Sequence, residues 1–249
     1  MNKKISYILS TNRSVDVFRQ SLDIILNFEK HDKEIIVCGP NYILNDKSYD
    51  YFKQHNIKYI EDKLCTGAVN GFNMAYKNTD GDYIATMIDD IGYPLNFLDI
   101  LNWFDSPFMK KKKFKIVNSM WEGGPGLVTY NHDDLEDGTS YWNITDPHPV
   151  PINHCPYCVI PLATIARETI EKYLDGYIYN PLFKHHYCDS WLGFYVCKNE
   201  IYERFKWRCP SFKPYTLLNT KTVNTYDKHD WDILSLLTNN FIQGKTKYV

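Results

Sequence analysis

The sequence predicts an α/β fold in which a mostly parallel central sheet is covered by helices on both faces. Short apolar runs without polar alternation recur through the first ninety residues, which is typical of strands buried on both faces. Segments with helical periodicity separate these runs, and alternating strands and helices form parallel sheets with right-handed crossovers. The 249 residues are enough to bury one large core.

The first four strands and the helices between them follow directly from this pattern. Ser14 is a suitable N-cap for the first helix, whose apolar face begins at Val15 and Phe18. Turn residues such as Gly39-Pro40 end the runs. The predicted strands cover residues 4–10, 34–38, 57–60 and 83–88, and the later helices cover residues 46–55 and 66–77.

Two adjacent carboxylates, Asp89 and Asp90, follow the most apolar of these strands. Because side chains alternate along a strand, adjacent acids cannot share a face while the strand continues, and Gly92 and Pro94 favour a turn. Open parallel sheets bind ligands beyond the carboxyl ends of their strands. A carboxylate there would suit a divalent cation that bridges a diphosphate. The other interpretation is an Asx turn or a helix cap that closes a core strand.

The second half of the chain is less regular. A helix is expected from Pro94 to Phe104, and the lysine run at residues 110–113 is interpreted as a solvated loop, with an anionic membrane surface as the alternative contact. Residues 121–153 lack periodicity and are expected to form a long loop that is a lid, a binding loop or disordered. Its Trp121, Tyr141 and Trp142 could stack on a sugar face. Strands are predicted over residues 114–120, 157–161 and 201–208, and helices over residues 163–174, 189–196 and 231–239.

Composition restricts the partners and the compartment. A net charge of −2 and a pI near 6.4 give no global reason to expect a nucleic-acid partner. No apolar stretch approaches the roughly 18 residues of a membrane span, and the first residues lack the apolar region of a signal peptide. Seven cysteines, an odd number, favour reduced thiols over a disulfide framework. We therefore expect a cytoplasmic protein, with peripheral membrane contact as the alternative.

Several of these segments, in this order, resemble the motifs of family 2 glycosyltransferases. The opening Ile8-Leu9-Ser10-Thr11-Asn12-Arg13 is similar to that family's first-strand motif. Gly67, Asn70 and Gly71 are similar to its helix before the central strand, and Ile88-Asp89-Asp90 falls at the position of its D-x-D motif. Cys188-Asp189-Ser190-Trp191-Leu192 resembles its Glu-Asp-x-Asp-Leu segment. The resemblance extends over residues 5–105 and is local around Asp189.

The resemblance implies a GT-A fold, a Rossmann-like α/β/α sandwich, and inverting transfer of a sugar from a nucleoside diphosphate to a hydroxyl. It implies that Mn²⁺ or Mg²⁺ binds at Asp90, with His229 as a second candidate ligand, and that Asp189 is the general base. An N-terminal position on a helix would favour the ionised form of Asp189; the other interpretation of Asp189 is an ordinary helix cap. The implied donor-binding residues are Thr11, Asn12, Arg13, Gly67, Asn70 and Asp89, the last facing the ribose or the donor sugar.

Some positions depart from the family pattern. Ile88 replaces the first acid of the metal motif, and Gly39-Pro40 replaces an Asp that pairs with the nucleobase of the donor. Cys188 and Trp191 replace acids on either side of Asp189. Two alternatives therefore stay open. One is a degenerate GT-A domain that binds nucleotide or glycan without turnover. The other is a sugar-phosphate nucleotidyltransferase, although the Gly-rich basic loop of that class is missing after the first strand.

Cys155-Pro156-Tyr157-Cys158 matches the active-site tetrapeptide of glutaredoxins, but it lies deep in the chain and precedes a predicted strand rather than a helix. With His154, His185 or His186 the pair would bind zinc, but no second ligand pair follows at the usual spacing. We expect one domain over residues 1–249, with a nucleotide-sugar half (1–105), an acceptor half (106–210) and a C-terminal extension (211–249). The acceptor would be a glycan, a lipid-linked molecule or a protein.

Overall fold

The computed structural model describes residues 3–249 except 29–30, 65, 90–100, 103, 119, 122–129, 135–138, 145–161, 200–203, 206–207, 210–219 and 246. Its main sheet has six strands in the order β3-β2-β1-β4-β9-β5. Strands β1 to β4 are parallel to one another, whereas β9 runs antiparallel to both β4 and β5. These strands are β1 (Ile5–Ser10), β2 (Lys33–Gly39), β3 (Lys58–Glu61), β4 (Tyr83–Met87), β5 (Ile116–Asn118) and β9 (Ala163–Ala166).

Helices cover both faces of this sheet, as predicted, because its strands are apolar on both sides. In β1, Tyr7 and Leu9 join a buried cluster with Phe18 of the first helix, while Ile8 joins a second cluster on the opposite face. The strict alternation of side chains along a strand produces this division. The described helices are α1 (Val15–Phe28), α2 (Asp46–Gln54), α3 (Ala68–Tyr76), α4 (Pro107–Lys110), α5 (Arg167–Tyr173), α6 (Cys188–Asn199) and α7 (Thr220–Ile242).

The predicted helix over residues 163–174 is wrong in its first third. Ala163–Ala166 is strand β9, which pairs with β4 on one side and β5 on the other, and only Arg167–Tyr173 is helical. All four strand residues are buried, and Ala163 N also donates to Thr86 Oγ1 (2.8 Å). A buried run of four residues, three of them apolar, has no periodicity that separates a strand from the start of a helix. Pairing with two distant strands decides between them.

The long loop expected over residues 121–153 is also partly wrong. Tyr130–Asp134 (β7) and Thr139–Ile144 (β8) pair antiparallel, and Arg204–Phe205 (β10) completes a three-stranded sheet on the other edge of β8. Met120–Trp121 (β6) pairs with Arg208–Cys209 (β11). Strands β7 and β8 are close together in the sequence, whereas β10 and β11, which pair with β8 and β6, come from residues 204–209, far along the chain. Local pattern does not reveal such distant partners. The remaining residues of that range, and the strand predicted over 157–161, lie outside the described part.

The lysine run begins at the end of α4 and continues into the segment before β5. Lys110 and Lys111 are exposed, in accord with a solvated segment. Lys113 Nζ lies 4.9 Å from the ring centroid of Tyr173 and 5.0 Å from that of Phe114, which is cation–π geometry. Lys113 therefore contacts two aromatic rings although it is exposed.

The C-terminal helix α7 spans 23 residues, far more than the predicted 231–239. Its residues Asp230, Leu234 and Thr238 are buried, so one stripe of the helix faces the protein. Within the described ranges, no helix combines the length and the apolarity needed to cross a membrane.

Candidate functional site

The turns after β1 and β4 leave the main sheet at the same edge. Ser10 is in register with Cys38, and Leu9 is in register with Met87. Thr11 N donates to Cys38 O (3.0 Å), which continues the ladder for one more residue. Because parallel strands end at a common edge, the turn at Thr11–Arg13 and Asp89 meet there.

Asp89 is held at this edge by partners on both carboxylate oxygens. Thr11 Oγ1 donates to Oδ2 (2.8 Å), and Arg13 Nη1 lies 3.1 Å from Oδ1. Ser21 Oγ donates to the Asp89 carbonyl (3.3 Å), which ties the turn to helix α1. The Asp89 side chain is only 14% exposed, and a charge at this burial is stabilised by such a hydrogen-bonded cation. The structure thus brings together three of the predicted donor-binding residues.

The backbone at Gly39 explains one departure from the family pattern. A Cβ atom at position 39 would lie 2.3 Å from Thr11 O and 2.7 Å from Ile43 Cδ1, so a side chain there would collide with the β1 turn. An Asp at this position is therefore excluded unless the backbone shifts. The next turn places Tyr42 beside the site instead: its hydroxyl donates to Asn12 O (3.2 Å), and the residue is 67% exposed.

Gly67 and Asn70, two further predicted donor-binding residues, lie at the start of α3. Gly67 has φ +105°, and a Cβ there would lie 2.3 Å from Lys184 O. Val69 N donates to the same carbonyl (3.2 Å). Asn70 Nδ2 donates to Thr66 Oγ1. Among the described contacts, these residues join α3 to neighbouring segments, and their part in donor binding stays a prediction.

Asp189 lies in the first turn of α6 and accepts a hydrogen bond from Ser190 N at Oδ1 (2.8 Å). The side chain keeps a little exposed surface but is otherwise surrounded by protein. Burial raises the pKa of Asp189, and the hydrogen bonds from Ser190 and from its own backbone lower it only in part. The expected effect of the helix N-terminus is therefore present but outweighed. A carboxylate with a raised pKa is a better proton acceptor near neutral pH than an ordinary one.

The segment 184–186, which precedes Asp189, is anchored by Asp230 of helix α7. Asp230 is fully buried and accepts hydrogen bonds from Lys184 N (2.9 Å), His185 N (2.7 Å) and His186 N (2.7 Å). Sequence reasoning singled out the neighbouring His229 and missed Asp230. The signal was available, because Asp230 and Leu234 are four residues apart and lie on one helical stripe.

His185 lies between this anchor and the edge of the sheet. Burial lowers the pKa of His185, as do the charges of His186 and Arg13, whereas Asp230 raises it. The influence of Arg13 shows that the segment before Asp189 lies within electrostatic range of the Arg13–Asp89 pair. A neutral imidazole is therefore favoured at position 185.

The metal prediction is not decided by the described residues. Asp90 lies outside them, and both oxygens of Asp89 already have protein partners. His229 Nδ1 lies 2.8 Å from Asp230 Oδ1. Across the described ranges, no group of three or more His, Cys, Asp and Glu side chains is arranged to hold a metal ion. The described residues alone do not build a metal centre, and the metal-binding role of Asp90 stays a prediction.

The thiols of two cysteines, Cys38 and Cys188, are described, and both are free and buried. Burial raises the pKa of the Cys38 thiol to about 12, and it raises that of Cys188 well above the ordinary value. Neither is therefore a thiolate nucleophile at neutral pH. Neither thiol is in a disulfide in this structure, whereas Cys155 and Cys158 lie outside the described residues, and the expectation of reduced thiols stays a prediction.

Solved structures share this fold. TarS residues 1–349 from S. aureus, in complex with UDP, superposes with a TM-score of 0.58 at 14% identity, over 84% of this chain and 60% of that chain. A mannosyltransferase from Pyrobaculum calidifontis, in complex with GDP-Man and Mn²⁺, gives 0.56 at 14% identity, over 87% and 59%. Glucosyl-3-phosphoglycerate synthase from Mycobacterium tuberculosis, in complex with Mn²⁺ and UDP, gives 0.55 at 12% identity, over 98% and 80%.

A curated relative matches a shorter part of the chain. The poly-beta-1,6-N-acetyl-D-glucosamine synthase of Staphylococcus epidermidis is 25% identical over 118 residues, 45% of this chain and 25% of the relative. The chain therefore spans about a quarter of that relative and 60% of the TarS fragment. No protein-family model matches the chain. The comparisons confirm the predicted GT-A fold, which this chain shares with proteins crystallised with UDP or GDP-Man.

Proposed function

We propose that this protein is an inverting glycosyltransferase that moves a sugar from a nucleoside diphosphate to an acceptor hydroxyl. The observation that carries the proposal is the Thr11–Asp89–Arg13 arrangement at the carboxyl edge of the parallel sheet. This edge is where open α/β sheets bind their ligands, and the segment before Asp189 lies within electrostatic range of it.

The donor would lie along the β1 turn, against Thr11, Asn12 and Arg13. UDP and GDP-Man in complexes of proteins with this fold support a nucleotide-sugar donor. Position 39 carries no acid that could pair with the nucleobase, and the exposed ring of Tyr42 offers a face beside it. Its hydroxyl is held by Asn12 O, so the ring would present a pre-oriented surface for stacking.

A divalent cation, Mn²⁺ or Mg²⁺, is part of the proposal because two proteins with the same fold were crystallised with Mn²⁺. Asp90 would be its carboxylate ligand. His229 is the second candidate, because pairing of its Nδ1 with Asp230 would leave Nε2 for a ligand. When bound, the cation would neutralise charge on the diphosphate leaving group. Thr11 and Arg13 occupy the two carboxylate oxygens of Asp89, so Asp89 would not serve as a metal ligand. It would instead orient the ribose or the donor sugar.

Asp189 would be the general base. Its carboxylate oxygen accepts the acceptor's hydroxyl proton while that oxygen forms a bond to the anomeric carbon. The bond from the anomeric carbon to the diphosphate oxygen breaks at the same time, and the nucleoside diphosphate leaves with the electron pair. A single displacement of this kind inverts the anomeric configuration. The raised pKa of Asp189 supports the role, because the base must hold the proton after transfer.

The organisation of the chain into one domain, with a donor half at 1–105, an acceptor half at 106–210 and a C-terminal extension, remains part of this proposal. The acceptor class and a cytoplasmic location likewise remain predictions.

The test is a thermal-shift screen of UDP-GlcNAc, UDP-glucose, GDP-mannose and other nucleotide sugars, each with and without Mn²⁺. A bound donor raises the melting temperature in proportion to the logarithm of its concentration over its dissociation constant. We expect a Mn²⁺-dependent shift with at least one donor and its loss in Asp90→Asn. The matched control is Asp50→Asn, an exposed position in α2, which should retain the shift. The absence of any shift or donor hydrolysis across the panel would contradict the proposal.

A degenerate domain without turnover is the second candidate, favoured by Cys188, whose thiol is buried where the family pattern has an acid. It would bind a nucleotide sugar in the same screen but give no product with any acceptor, and Asp189→Asn would leave binding intact.

A further inference from the structure

We propose that Asp230 is a positioning residue that fixes the segment 184–186 and, through it, the orientation of Asp189. This inference rests on the proposed function, because it assigns the C-terminal helix α7 a part in placing the general base. Asp230 itself would touch neither donor nor acceptor.

The geometry of the contact is that of a bound anion. Three consecutive backbone N–H groups, from Lys184 to His186, converge on one carboxylate: Lys184 N on Oδ1 and the two histidine N–H groups on Oδ2. Consecutive N–H groups that point to one side form a concave anion-binding nest. Here the anion is supplied by the protein, from a position 44 to 46 residues along the chain.

The same segment is fixed on its other side by helix α3. Lys184 O accepts from Val69 N, and the approach is so close that only a glycine fits at position 67. Lys184 is thus held through its N–H by α7 and through its carbonyl by α3. Helix α6 begins at Cys188, two residues after the nest ends. Asp189 therefore takes its position from a segment clamped between two helices.

Helix α7 touches this segment at a second point. Tyr187, which has a positive φ of 57°, donates its hydroxyl to Asp227 Oδ1 (2.9 Å). Asp227 and Asp230 are three positions apart and lie on the same face of the helix. A non-glycine residue with positive φ is strained unless its surroundings hold it. Two carboxylates from one helix therefore hold the strained link that leads into Asp189.

Burial of a carboxylate points to a role in geometry rather than in stability alone. Asp230 is fully buried, and a buried charge adds little net stability even when it is well hydrogen-bonded. The arrangement holds the backbone of the segment 184–186 in a single conformation. No apolar side chain at position 230 could do this, because it could not accept hydrogen bonds from the three N–H groups. We infer that this conformation is the one in which Asp189 acts.

Asp230→Asn tests the inference with little change in volume. The amide oxygen can still accept, but the NH₂ group cannot, so at least one nest N–H loses its partner. We expect faster hydrogen–deuterium exchange in a peptide that covers residues 184–190 and unchanged exchange in β1 and β4. In transfer assays kcat should fall about tenfold or more, since small misplacements of a catalytic group have effects of that order. The KM for the nucleotide sugar should change by less than about threefold, because donor contacts made by the β1 turn remain and the amide oxygen at position 230 can still pair with His229 Nδ1.

Asp232→Asn is the matched control. It removes the same charge from an exposed position of the same helix, and neither exchange at 184–190 nor kcat should change. If Asp230→Asn fails to fold, Asp227→Asn, which reaches the segment only from the surface, should increase exchange at 184–190 and lower kcat by about twofold or more. Wild-type exchange in the folded variant, or faster exchange with wild-type kcat, would overturn the inference.

Failure of the proposed function would be recognised separately. If the parent protein binds no nucleotide sugar and transfers none, the proposed function fails, and a role for Asp230 in placing a general base is overturned with it. If the parent is active but Asp230→Asn retains wild-type kcat, only the inference about Asp230 fails.

Discussion

The Thr11 hydroxyl donates to Asp89 Oδ2 over 2.8 Å and joins two turns that lie 78 residues apart in the sequence. Arg13 approaches the other oxygen of the same carboxylate. The carboxylate is thus oriented by residues of the β1 turn rather than by its own segment. An edge built in this way is assembled before any ligand arrives, which reduces the ordering that binding requires.

Removal of the Thr11 hydroxyl should loosen Asp89. Thr11→Val keeps the shape of the side chain but leaves Oδ2 without this donor, so we expect the free energy of unfolding to fall by about 1 kcal/mol. Nucleotide-sugar affinity should fall as well, by about fivefold to tenfold if Asp89 contacts the donor. Urea unfolding and donor titration by calorimetry measure the two effects. Thr11→Ser, which retains the hydroxyl, should restore most of both. A Val variant with parental affinity would show that the orientation of Asp89 does not matter for binding.

Replacement of Asp189 by Asn should distinguish between two roles of this residue, as a general base and as a helix cap. Burial raises the pKa of Asp189, so the folded state favours the protonated form. The stability contributed by the protonated carboxyl is therefore present below the unfolded pKa of about 3.9 and is lost as the pH rises through the raised folded value. Near neutral pH the ionised carboxylate opposes folding, and Asp189→Asn should raise the melting temperature while kcat falls about 10²-fold or more.

Melting curves at pH 7.5 and near pH 3.5 measure the difference in melting temperature between Asp189→Asn and the parent protein. This difference should shrink at the lower pH, where both proteins carry a neutral side chain at position 189. A capping role predicts the opposite sign: loss of about 0.5–1 kcal/mol at neutral pH, with activity retained. That outcome would remove Asp189 from the proposed mechanism.

Gly67→Ala should destabilise the protein strongly. The substitution forces a Cβ to within 2.3 Å of Lys184 O at a residue with φ +105°, so we expect a loss of about 3 kcal/mol from strain and backbone displacement. Gly176→Ala is a suitable comparison, because Gly176 also has a positive φ (+77°) but no atom within 4 Å of the added Cβ. Only the conformational term of about 1 kcal/mol should apply there. Equal losses of unfolding free energy in Gly67→Ala and Gly176→Ala, measured with urea, would show that the contact with Lys184 does not contribute to the effect.

Trp191 should be needed for stability. It replaces an acid of the family pattern, is fully buried, and donates from Nε1 to Tyr248 O (3.0 Å). Trp191→Phe removes that hydrogen bond and part of the ring, so we expect a loss of about 2–3 kcal/mol in the free energy of unfolding. Trp231→Phe, at a partly exposed position, should lose less than about 1 kcal/mol. Restoration of the family acid by Trp191→Asp should prevent folding, because it would bury an unpaired charge.

The sequence by itself determined the four parallel strands, the helices between them and the edge at which a ligand would bind. Apolar runs such as Ile5–Ser10 are buried on both faces, and parallel strands must end at one edge, so Thr11, Arg13 and Asp89 could be expected to meet there. The GT-A fold followed from the order of these segments. The roles of Asp90 and His229 remain predictions.

The tertiary structure alone decided the features that depend on distant partners. Ala163–Ala166 is a strand because β4 and β5 offer hydrogen bonds on both sides, and Gly67 is required because Lys184, 117 positions later, passes against it. Asp230 is an anchor because the nest it fills is formed by another segment. Local pattern records which surfaces a segment must bury, whereas the identity of the partner depends on how the whole chain packs.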